Sequence, residues 1–121
     1  MINWKLKDIW AENNGMTVTE TTDTSATTEM TVDQRHLNGV GVCQGGVLFT
    51  LADLAMAAVT NQNSKSVSTD ANIRFLAPAN EGDHLVCHCR IIKDGRLPVV
   101  EGDIRTTEKI IATFGGREYR L

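Results

Sequence analysis

Two stretches of the chain alternate strictly. Val67, Thr69, Ala71, Ile73 and Phe75 interleave with Ser66, Ser68, Asp70, Asn72 and Arg74. Leu85, Cys87, Cys89 and Ile91 interleave with His84, Val86, His88 and Arg90. A period of two predicts half-buried strands with the less polar set toward a core. Pro78 to Asp83 reads as the turn between them. Asp94-Gly95 is a hairpin signal leading to a third strand over 97–107, and Glu108-Lys109 turns into a last one over 110–119. The Thr-rich residues 16–32 predict one long solvent-facing strand. Trp4, Leu6, Ile9 and Trp10 predict a short amphipathic helix over 3–12, closed by Asn13-Asn14-Gly15. Residues 44–62 are dense in Leu, Ala and Met and apolar on nearly every face, which predicts a buried helix. Short loops predict antiparallel neighbours. The expected fold is α+β: a curled antiparallel sheet of about five strands wrapped around one long helix.

The length of 121 residues fits one domain over 1–121. Hydrophobic residues at 41% and charged residues at 22% exclude disordered and collagen-like classes. A net charge of −3 leaves no basic footprint for nucleic acid. Cys43, Cys87 and Cys89 are an odd number and predict reduced thiols in a cytoplasmic protein. The first eight residues have no apolar signal region. Val47 to Val59, the most apolar stretch, is too short to span a bilayer and contains Asp53, so no membrane association is expected.

Asp53 is the residue out of place. It stands among Phe49, Leu51, Leu54, Met56 and Ala57, and an unpaired charge in apolar surroundings is costly. Either it lies on a narrow exposed stripe or caps a neighbouring loop, or it is a carboxylate at an apolar cleft serving as nucleophile or general base. Gln44-Gly45-Gly46 opens the same helix, where uncapped N–H groups suit an oxyanion. Gly45 and Asp53 are separated by roughly 12 Å along the helix axis. One reacting carbonyl cannot touch both on a single helix, so a joint reaction requires two subunits. Cys87 and Cys89 face away from His84 and His88 on a strand, so no metal site is expected. Cys43, near His36 in sequence, is read as a small buried residue.

Residues 36–61, from His36-Leu37-Asn38-Gly39 through Gln44-Gly45-Gly46 to Asp53 and Asn61, closely resemble the motif of hotdog-fold acyl-CoA thioesterases of the phenylacetate-pathway (PaaI-like) type. Phe75-Leu76-Ala77-Pro78 and Gly82-Asp83 extend the resemblance. It implies that Asp53 is the base or nucleophile, that the Gly45 N–H holds the thioester carbonyl, and that Asn38 positions carbonyl or water. Gln44 stands beside them in the catalytic set, with Gly46, Thr50, Leu54 and Arg74 assigned to substrate binding. It also implies a homodimer with shared sites, paired again as a dimer of dimers, and no cofactor beyond the coenzyme A of the substrate. Three positions depart from the pattern: Gln44 replaces a His, Leu54 a small Thr, and Ala77 an Arg. The rival functions are a non-catalytic acyl-CoA-binding module and, further off, a hotdog dehydratase or hydratase.

Overall fold

The computed structural model describes residues 4–121. The chain runs α1 (Ile9–Asn13), β1 (Thr17–Thr21), β2 (Ser25–Thr31), a 3-10 turn (Gln34–His36), α2 (Gly45–Thr60), β3 (Ser66–Phe75), β4 (His84–Lys93), β5 (Val99–Arg105) and β6 (Ile110–Arg120). The six strands form one antiparallel sheet in the order β1-β2-β4-β5-β6-β3. The sheet curls around α2, whose Leu51, Ala52, Ala55, Met56 and Ala58 are wholly buried. This is the hotdog fold.

Several expectations need correction. The single strand over 16–32 is a hairpin of two, because the Thr22 hydroxyl accepts the Thr24 and Ser25 N–H groups and turns the chain without a glycine. The first helix is shorter than the expected 3–12. Asp8 caps it by accepting the Ala11 N–H at 2.9 Å, so Trp4 to Lys7 precede it. Asn3, like Met1 and Ile2, lies outside the described residues. β3 and β4 are consecutive but not paired. Residues 76–83 carry the chain across, with the Leu76 and Ala77 N–H groups donating to the Ile111 carbonyl, so β3 pairs with β6 and becomes a sheet edge.

The helix is not covered all round either. Its uncovered positions, Gly45, Gly46, Phe49, Thr50, Asp53 and Ala57, recur at three- or four-residue steps on one stripe. Elsewhere α2 sits tight on the sheet. A Cβ on Gly116 of β6 would lie 3.1 Å from the Met56 sulfur, so glycine there lets the helix approach.

A β-bulge decides which β3 side chains face the helix. The β3–β6 register runs Ser68 opposite Glu118, then Asp70 opposite Arg117, leaving Thr69 as the extra residue. The bulge reverses the phase of the strand. Before it, Ser66 is buried and Val67 is 52% exposed; after it, Ala71 and Ile73 pack on the core. The sequence pattern assumed one phase throughout and put Ser68 outward with Asp70. The bulge turns Ser68 toward α2 instead.

Candidate active site

Asp53 projects from the open stripe of α2 into a groove of about 350 Å³ lined by Gly46, Phe49, Thr50, Ser68, Thr69, Asp70 and Ala71. The carboxylate is exposed in the single chain, and the groove around it is polar at Thr50, Ser68, Thr69 and Asp70 rather than the apolar cleft expected. Desolvation by the surrounding protein pushes its pKa above the ordinary value. The Ser68 hydroxyl, 3.4 Å from Oδ1, opposes that rise, and the like charge of Asp8 adds to it.

Behind Ser68 lies a residue that sequence reasoning missed. Glu118 of β6 is 2% exposed, and its Oε2 is 2.6 Å from the Ser68 hydroxyl. Its pKa is raised, first by burial and then by the nearby Asp53 charge, with Ser68 and Thr60 hydroxyls pulling the other way. The signal was present in the strand period: Ala112, Phe114, Gly116 and Glu118 share the inward face of β6, so a carboxylate occupies a core register. Ser68 carried no comparable signal, because its orientation depends on the bulge.

The start of α2 lies at the far end of the helix. Gln44 is the N-cap residue and is exposed; its side chain makes no capping bond, so the first-turn N–H groups of Gly45 and Gly46 keep their donor character. The Phe75 ring packs against Gly45, where a Cβ would come within 3.0 Å of it. Asn38 holds the preceding loop. Its Oδ1 accepts the Val40 and Val42 N–H groups at 2.9 and 3.3 Å, which turns its amide nitrogen into the group available to a ligand.

The other expected residues divide. Gly46 and Thr50 line the Asp53 groove. Leu54 does not: it is 2% exposed and packed in the core, because the residue after Asp53 is turned about 100° around the helix. Arg74 also stands apart, in a larger hollow on the outer face of the sheet. His36 is a structural group. Buried, it accepts the Asp33 N–H at Nδ1 and bonds the Asn14 carbonyl through Nε2. Cys43 is a buried thiol whose pKa burial pushes up to about 11, which keeps it protonated and unreactive near neutrality. Among the described residues no three His, Cys, Asp or Glu side chains converge on a metal position, and no helix is long and apolar enough to cross a membrane.

Residues 40–106, more than half of the chain, match the model of the Thioesterase superfamily. The chain belongs to that superfamily. Relatives agree. The acyl-coenzyme A thioesterase PaaI of Escherichia coli is 32% identical over 94% of this chain and 84% of its own. Its solved structure superposes with a TM-score of 0.91, covering 94% of this chain and 85% of that one. Acyl-coenzyme A thioesterase 13 of Mus musculus is 37% identical over 69% of this chain. A relative from Archaeoglobus fulgidus is 33% identical over 79% of it. The chain spans 64% of the length of each of the last two.

Proposed function

We propose that this chain hydrolyses an acyl-CoA thioester, with an aromatic or medium-chain acyl group, in a site completed by a second copy. The observation that carries the reading is Asp53: an acidic side chain with no cation partner among the described residues, set in a groove beside a hydroxyl and lifted in pKa by its surroundings. A carboxylate so placed is fit to take a proton from water or to attack a carbonyl itself. The Gly45 N–H, at the positive end of α2, is fit to receive the carbonyl oxygen as it gains charge, and the Asn38 amide nitrogen, in the loop before the helix, is fit to help position carbonyl or water. An oxygen from water, directly or by way of Asp53, bonds to the carbonyl carbon. The carbon–sulfur bond breaks, and the thiolate leaves to be protonated, giving free acid and CoA.

Two features support a dimer. Gly45 and Asp53 are about 12 Å apart along one helix, too far for one thioester carbonyl. The groove also opens at β3, a ten-residue edge strand whose outer side has no neighbour in the single chain. Long open edges are normally covered. A second copy pairing there would cover both the edge and the exposed Asp53. The relatives named as acyl-CoA thioesterases support the substrate class. The three buried free thiols fit a cytoplasmic setting. The test is thiol release from a panel of aromatic and aliphatic acyl-CoA substrates. Turnover of at least one is expected; rates equal to the uncatalysed background across the panel would overturn the proposal.

A further inference from the structure

We propose that Glu118 is a positioning residue for this site: through Ser68, it decides which way the one hydroxyl proton beside Asp53 points. The inference rests on the assignment of Asp53 as the working carboxylate. The geometry is an accounting of protons. The Ser68 hydroxyl lies 2.6 Å from Glu118 Oε2 and 3.4 Å from Asp53 Oδ1, and it has a single hydrogen for the two acceptors. Thr60 cannot relieve the conflict. Its hydroxyl accepts from Ser66 and is 2.9 Å from the Met56 carbonyl, against 3.4 Å to Glu118 Oε1.

No cation answers Glu118 among the described residues. Its neighbours on β6 are committed elsewhere: Arg117 to Asp70 at 2.7 Å and Arg120 to Asp94 at 3.0 Å, with a further Arg120 bond to the Thr60 carbonyl. From α2 it faces Asp53, from β3 Ser68, and from β4 Cys89, a thiol that burial keeps protonated. Glu101 on β5 is paired with Arg90. Asp8 contributes a further negative charge on the Asp53 side. Two carboxylates bridged by one hydroxyl, with no positive charge between them, titrate as a coupled pair. Asp53 is open to solvent and Glu118 is not, so the first proton leaves Asp53 and the second stays on Glu118.

In that singly protonated state the one hydroxyl serves both carboxyls. Glu118 donates to the Ser68 oxygen, and Ser68 donates to ionised Asp53. The shared hydroxyl then fixes the Asp53 carboxylate in the groove. When Glu118 ionises at higher pH, the Ser68 proton turns to the closer Glu118, and Asp53 loses its donor. Turnover should therefore rise with pH as Asp53 ionises and fall again as Glu118 does.

Glu118→Gln supplies an amide N–H toward Ser68 that no longer titrates. The expected result is a rising limb kept, a falling limb lost, and a peak kcat reduced by no more than about threefold. Glu118→Leu removes the donor and should lower kcat about tenfold with KM within about twofold. Because a core substitution can unfold the chain, the second readout needs neither mutation of Glu118 nor substrate. The ¹³C-labelled Glu118 carboxyl, followed by NMR, should titrate above the ordinary carboxylate range and move down in Asp53→Asn. A falling limb unchanged in Glu118→Gln, or a Glu118 titration that is ordinary and indifferent to Asp53→Asn, overturns the proposal. Absence of hydrolysis by the wild type overturns the functional reading and with it a role for Glu118 in turnover. A normal rate with an uncoupled Glu118 overturns this inference alone.

Discussion

Two hollows among the described residues differ in kind, and the larger of them holds the weaker claim to chemistry. The outer face of the sheet carries a depression of about 980 Å³, against about 350 Å³ for the groove at Asp53. In the outer hollow, every lining charge except Arg74 meets an opposite charge. Arg90 meets Glu101 at 2.6 Å, Arg117 meets Asp70 at 2.7 Å, and Asp103 meets Arg105 at 3.3 Å. Its His88 is bonded to Thr27 across the strands. Exposed pairs of this kind contribute little and leave little reactivity behind. In the groove the balance is reversed. Asp53 and the buried Glu118 share one hydroxyl and face no cation, and both carboxyls are held above their ordinary pKa. Uncompensated charge, rather than volume, separates a site from a surface.

The contrast can be broken at several points. The largest effect is expected from Asp53→Asn, which should lower kcat by about a thousandfold, the range for loss of a catalytic proton acceptor, with the melting temperature little changed. In the wild type, the acid limb of kcat should lie above the ordinary aspartate range, because burial favours the protonated, inactive form. Leu54→Ala should do the opposite. A cavity in the core costs about 2–5 kcal/mol of stability, read by chemical denaturation, while the folded fraction keeps its rate. A large kcat loss without destabilisation would return Leu54 to the site.

Arg74→Ala in the outer hollow should change kcat/KM by no more than about threefold, as expected for an exposed residue remote from the groove. A tenfold rise in KM would show that the hollow holds part of the substrate. The smallest effect concerns pH and stability. Glu118 has a raised pKa in the folded chain, so folding favours its protonated form. That contribution is full below the unfolded carboxylate value and is lost as pH rises through the folded one. The melting temperature of Glu118→Gln should therefore gain on the wild type as pH rises from the ordinary carboxylate range through the raised Glu118 value. A gap independent of pH would mean that the two states bind the Glu118 proton equally.

Much of this was legible before any coordinates. The long helix, the strands at 66–75 and 84–93, the hairpin at Asp94-Gly95 and the odd placement of Asp53 all follow from periodicity and burial cost. What escaped depended on single backbone events. The Thr22 hydroxyl makes a turn where no glycine or proline marks one. The passage of residues 76–83 across the sheet is a matter of topology that loop length does not encode. The bulge at Thr69 reverses the face of β3 and brings Ser68 to Asp53. Glu118 is a different case: its inward register on β6 could have been counted out from Ala112 and Phe114.

The most direct measurement mixes two inactive variants. One subunit carries Asp53→Asn and the other Asn38→Ala. If each site takes Asp53 from one copy and Gly45 with Asn38 from the other, a mixed dimer contains one intact site and one doubly defective site. Random exchange in an equal mixture makes half of the dimers mixed, so about one quarter of wild-type activity should return. Full subunit exchange, proven by mass spectrometry of labelled chains, with activity no higher than that of the separate variants would contradict a site shared between two copies.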